Sequence, residues 1–161
     1  MKNFILFLIG ILVIFIETFF TNYISVYVSV NLLLIYCIFI SLYLDKSSAL
    51  ILVGIVGLMS DLISGGITGL TPLLFLVISY FIFNIEKSIF KDNRLIVSLL
   101  VFVISIVYSI INAVVSAIFF VPTPLVVAFF KAIFLIPIVN TMIAFILFTL
   151  FQDKLINLRE E

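Results

Sequence analysis

Six long apolar runs separated by short polar breaks dominate the chain, at residues 4–22, 26–44, 48–63, 70–85, 95–121 and 125–151. A membrane-crossing helix needs about 20 apolar residues at about 1.5 Å of rise each. The first two runs fit that length. The third and fourth, of 16 residues each, are short, and the last two, of 27, are long enough to tilt or kink. Pro137 marks a kink within the sixth run, and Pro122 and Pro124 bracket the turn before it. The pattern predicts an all-α integral membrane protein, one domain of six transmembrane helices. The first run resembles a leader peptide because Lys2 precedes it. It continues into Glu17, Thr18, Phe19 and Phe20 without a small-residue cleavage site, so it reads as a retained span.

The polar breaks orient the helices. With the N-terminus inside, the cytoplasmic segments carry Lys2, Lys46, Lys87, Lys91, Arg94, Lys154 and Arg159. The opposite breaks, 21–25, 64–69 and 122–124, carry no lysine or arginine. Cations that gather on one side at every reversal place that side in the cytoplasm. Both termini are therefore expected there, as is the longest polar loop, 86–94. Tyr23 and Tyr27 suit the outer interface and Tyr43 the inner one.

Three charged residues fall inside apolar runs: Glu17, Asp61 and Lys131. A charge in hydrocarbon costs a few kcal/mol or more, so it faces other helices or water. All three lie in the outer half, and Lys131 is expected to neutralise Asp61, Glu17 or both. Gly54, Gly57 and Asp61 share one narrow helix face, where small residues let another backbone approach. Gly65, Gly66 and Gly69 serve the following turn, and Pro72 sits in the first turn of the next helix. This is a tight hairpin with a carboxylate near its tip, read as a packing element or a partner site. A polar stripe on the fifth run, Ser98, Ser105, Ser109, Asn112 and Ser116, is expected to pack against another helix through side-chain hydrogen bonds. Asn140 is a lone polar group that bonds a neighbouring helix.

Composition agrees: 66% of residues are hydrophobic and 10% charged, more apolar surface than a soluble domain of 161 residues can hide. The chain lacks histidine and tryptophan and has one cysteine, Cys37, so no internal disulfide or multi-cysteine metal site forms. A net charge of zero without a basic run argues against nucleic acid. No cofactor is expected. Catalysis would need a nucleophile with a base, a metal set or paired carboxylates, and none is evident. The glycine turn lacks the lysine of a phosphate loop.

The run Gly54-x-x-Gly57-x-x-x-Asp61-x-x-x-Gly65-x-x-x-Gly69-Leu70 resembles the rod shape-determining MreD family. Length, six-run hydropathy and small loops extend the likeness over the whole chain. One departure is Ser29-Val30-Asn31, where that pattern has a proline or an acid. The resemblance implies a six-helix fold shared with substrate-binding subunits of energy-coupling-factor vitamin importers. It also implies a non-catalytic part in cell-wall elongation in the bacterial cytoplasmic membrane. The implied partners are an MreC-type single-pass protein and, through it, MreB filaments and wall-synthesis enzymes. The alternative is a substrate-binding subunit of such an importer, with the Glu17–Asp61–Lys131 cluster holding a polar ligand. Against it, the first run has no alanine and only Gly10, and offers no repeated small-residue docking stripe. Cysteines engineered into loop 86–94 are expected to resist membrane-impermeant thiol reagents applied from outside the cell. Labelling from the outside would overturn the orientation.

Overall fold

The computed structural model describes residues 2–24, 30–65, 67–86, 93–119 and 130–160. They form six helices: α1 (Lys2–Ile24), α2 (Leu32–Tyr43), α3 (Lys46–Ser64), α4 (Leu70–Ile85), α5 (Arg94–Ile118) and α6 (Ile136–Glu160). A π-helical turn, Lys131–Leu135, leads directly into α6. No strand occurs among the described residues. Four of these helices are long and apolar enough to cross a membrane, and α2 and α4 are shorter apolar helices. Tyr27, Lys87, Lys91, Pro122, Pro124 and Gly66 lie outside the described residues, as do the side chains of Tyr23, Ser116 and Arg159.

The shortest helix, α2, is the hub. It packs against every one of the other five helices, and all eleven residues from Leu33 to Tyr43 are buried. Helix α1 covers it with a narrow face through Leu6, Gly10 and Ile14, while Phe4, Leu8, Leu12, Phe15 and Phe19 point outward. Those exposed apolar residues, on a helix that crosses a bilayer, meet lipid at no hydrophobic cost. Hydropathy alone did not separate the lipid-facing α1 from the buried α2, because both are apolar on every side. Tyr43, expected at the inner interface, is buried instead, its ring 6.4 Å from that of Phe148. A helix with neighbours all round leaves no face for an interfacial ring.

Helices α1–α2, α3–α4 and α5–α6 run as successive hairpins, and their basic ends coincide. Asn3 donates to the Ser48 hydroxyl at 3.2 Å, joining the starts of α1 and α3. Lys46 lies 5.2 Å from the Tyr80 ring at the far end of α4, and Arg94 lies 5.6 Å from Phe145 of α6. Asp45 caps α3 by accepting the Ser48 N–H at 2.9 Å, and that bond holds its carboxyl below the usual carboxylate range.

Two devices shape the other end. Pro137 has no N–H to continue the helix ladder, and its ring crowds the preceding turn. The chain answers by widening that turn, so that the Ile136 N–H reaches back to the Lys131 carbonyl. On α3, a Cβ on Gly57 would sit 2.8 Å from the Pro72 Cα of α4, so glycine is what allows the two backbones to touch. Gly54 is different: its nearest neighbour would be Leu76 Cδ2 at 3.8 Å, an ordinary contact. Gly57→Ala is therefore expected to cost about 1–3 kcal/mol by overpacking, while Gly54→Ala leaves stability unchanged or slightly raised. Unfolding of the purified variants in detergent separates the two, and equal loss at both positions would contradict the close approach.

Candidate functional site

Two helices begin at the end of the bundle opposite Lys46 and Arg94, and each borrows an acid from the helix before it. The first four N–H groups of any helix lack partners within it. At α2, Asn31 is the N-cap and its Oδ1 accepts the Leu34 N–H at 2.8 Å. The Leu33 N–H donates to Glu17 Oε2 of α1 at 2.7 Å. The Asn31 N–H donates to Asn140 Oδ1 of α6 at 2.9 Å, and Asn140 Nδ2 donates to Ser105 Oγ of α5 at 3.1 Å. One buried amide thus ties three helices together.

At α4 the N-cap is Gly69, whose φ of 96° is left-handed and which has no side chain to offer. Asp61 supplies the missing oxygen from α3. Its Oδ2 accepts the Gly69 N–H at 2.7 Å and the Thr71 N–H at 3.2 Å. Its own carbonyl meanwhile accepts the Gly65 N–H at 3.1 Å and closes α3. A carboxylate receiving amides at a helix start is favoured by both the charge-assisted bonds and the helix dipole.

Between these two starts lies a cavity of about 340 Å³. From α1 it is lined by Ile14, Glu17 and Thr18, from α2 by Asn31 and Leu33, and from α3 by Ser60, Ile63 and Ser64. Helices α4 and α5 add Thr71 and Phe75, and Tyr108 and Asn112. The Phe75 and Tyr108 rings pack 5.8 Å apart, tilted by 36°. The Tyr108 hydroxyl lies within reach of the Asn31 and Thr71 side chains.

The residues singled out in the sequence divide among several tasks. Glu17 lines the cavity and Asp61 is buried beside it, each bonded to backbone amides. Lys131 is half-buried in the π turn and is not among the lining residues. Gly57 faces α4 of the same chain, and Gly65 and Gly69 make the left-handed turn residues at φ 67° and 96°. Along the α5 stripe, Ser105 bonds Asn140, Asn112 lines the cavity, and Ser109 is buried. Ser98 returns its hydroxyl to the Arg94 carbonyl of its own helix at 2.7 Å. Sequence reasoning passed over Tyr108, Thr71 and Ser60, which are single polar groups in apolar helices. It treated Asn31 only as a departure from a pattern, although an Asn directly before an apolar run is an N-cap signal. A second buried pair, Ser41 and Ser79 with hydroxyls 2.7 Å apart, joins α2 to α4 near Cys37. Among the described residues no group of three acids or cysteines is placed to hold a metal ion.

The family model for rod shape-determining protein MreD matches residues 2–154. No curated protein and no solved structure matches the chain.

The capping geometry sets the order of effects at position 61. Asp61→Ala strands the Gly69 and Thr71 amides and is expected to destabilise the protein by about 1–3 kcal/mol. Asp61→Asn keeps an acceptor oxygen and loses less. Unfolding midpoints of the two purified variants test the ranking, and an alanine variant as stable as the asparagine variant would contradict it.

Proposed function

Because the chain belongs to the MreD family, whose members are rod shape-determining membrane proteins, we propose that it is a non-catalytic scaffold of the cell-wall elongation machinery. The match over residues 2–154 carries this reading. In it, the protein lies in the bacterial cytoplasmic membrane with six spans and both termini in the cytoplasm. It holds an MreC-type single-pass partner and, through that partner, MreB filaments and peptidoglycan synthesis enzymes. The tasks of its polar side chains support the scaffold role. Glu17, Asp61, Asn31 and Asn140 hold helix starts, and the serine pair joins helices. The Gly57–Pro72 contact and the Asp61 cap would keep the α3–α4 hairpin rigid, so that partners meet one fixed outline. Lys131 in this reading balances the charge of Glu17 and Asp61 from the π turn.

One observation favours a second reading, a substrate-binding subunit of a vitamin-type importer: the cavity beneath the α2 and α4 starts. Depletion in the native cell separates the two. The scaffold reading expects rods to round up, with shape restored by the wild-type gene, and the partner to co-purify with the tagged chain. Rods of normal shape and wall during depletion would overturn it.

A further inference from the structure

We propose that the cavity between the α2 and α4 starts binds a neutral polyhydroxyl group, such as one sugar ring, through the side chains of Thr18, Ser60, Ser64 and Asn112. The site goes beyond the scaffold reading, since it concerns the chain's own cavity whether or not a partner is bound, and it assumes no transport.

Three observations lead to this chemistry. The first is where hydrogen-bonding capacity remains. The leading amides of both helices are engaged within the protein: Leu33 on Glu17, Leu34 on Asn31, and Gly69 and Thr71 on Asp61. An incoming anion finds none of these amides open. The Asn31 and Thr71 side chains are engaged with Tyr108. By contrast, the side chains of Thr18, Ser60, Ser64 and Asn112 line the cavity and have no hydrogen-bond partner among the described residues.

The second is the kind of group left over. A hydroxyl and a carboxamide can each donate and accept. An ammonium only donates and a carboxylate only accepts, so either would meet half of that capacity. An alcohol does both, and a polyol meets several such groups at once. These four side chains are uncharged, so the match does not depend on the charge of Glu17. A carboxyl group in either form accepts a hydroxyl hydrogen.

The third is shape. The cavity of about 340 Å³ lies at the lower end of small-molecule sites, which begin at about 300 Å³. Its floor is buried and largely apolar, made by Ile14, Leu33 and the Phe75 and Tyr108 rings. Its rim is polar, with Ser64 and Asn112 exposed and Thr18 and Ser60 half-buried. A sugar ring divides in the same way, with C–H faces to lie on the floor and hydroxyls around its edge. Such a ring can come from a glycolipid head group of the surrounding leaflet or from a free sugar in solution.

The test uses the full chain in phosphatidylcholine nanodiscs and follows thermal unfolding with a thiol-reactive dye. Cys37 is buried and is the single cysteine, so it reports opening of the bundle. Millimolar methyl glucoside is expected to raise the midpoint, and tetrahydropyran, the same ring without hydroxyls, is not. Binding makes the rise flatten with the logarithm of concentration. Mere exclusion of a sugar from the protein surface makes it grow in proportion instead. A rise with the free sugar identifies a soluble ligand. A rise seen only when monoglucosyl diacylglycerol is added to the discs identifies a head group. In either case Asn112→Phe, which fills the cavity without touching a cap, is expected to cancel the rise. Thr18→Val combined with Ser60→Ala removes two hydroxyls but no bond within the protein. That pair is expected to leave the ligand-free midpoint no lower and to weaken the response at least about tenfold. The proposal fails if neither sugar source shifts the midpoint, if the rise is only proportional to concentration, or if tetrahydropyran acts equally. It also fails if the variants respond like the wild type, or if the paired change lowers the ligand-free midpoint.

Discussion

A backbone amide inside hydrocarbon has no water to bond, and leaving it unpaired costs several kcal/mol. The architecture of this bundle follows from where that demand falls. Helix α2 has 12 residues and so reaches about 18 Å, well short of a hydrocarbon core of about 30 Å. Its first amides therefore open within the bundle. Irregular backbone at such depth is tolerated only when enclosed by protein or by a polar cavity. The chain encloses it, with Glu17, Asn31 and Asn140 arriving from three helices to meet Leu33, Leu34 and Asn31.

The intramembrane acids take their meaning from this constraint. On composition alone, Glu17 and Asp61 look like costly charges in search of a lysine. In the folded bundle each sits at the positive end of a helix and receives amide hydrogens, which reduce the cost of burying the carboxylate. The cavity between them is a by-product of the same geometry. Glu17 and Asn31, recruited for capping, line it.

Much of this was legible in the sequence and some was not. The runs at 48–63 and 70–85 announced α3 and α4 because the turn glycines Gly65 and Gly69 separate them, with Pro72 in the first turn of α4. The glycine–aspartate run marked the hairpin, and the family match agrees with that resemblance. The start of α2 was not legible in hydropathy, which runs through Val30, and only the N-cap signal of Asn31 marks it. Nor did hydropathy reveal that α2 is the hub, because lipid and protein interior are equally apolar surroundings. The cavity was hidden for another reason. Its lining comes from five helices, contributed as isolated Thr, Ser, Tyr and Asn residues with no shared spacing.

The two capping acids differ in how far apart along the chain their helices lie. Asp61 and the amides it receives are eight and ten residues apart, and Glu17 and Leu33 are sixteen apart. Asn31 and Asn140 are separated by 109 residues. As the chain emerges from the ribosome, the third and fourth helices can close their own hairpin at once. The central helix cannot: one of its leading amides waits for a side chain synthesised 109 residues later. Until then that amide needs a temporary guest, whether water or an insertion factor, so a hub made early is sealed late.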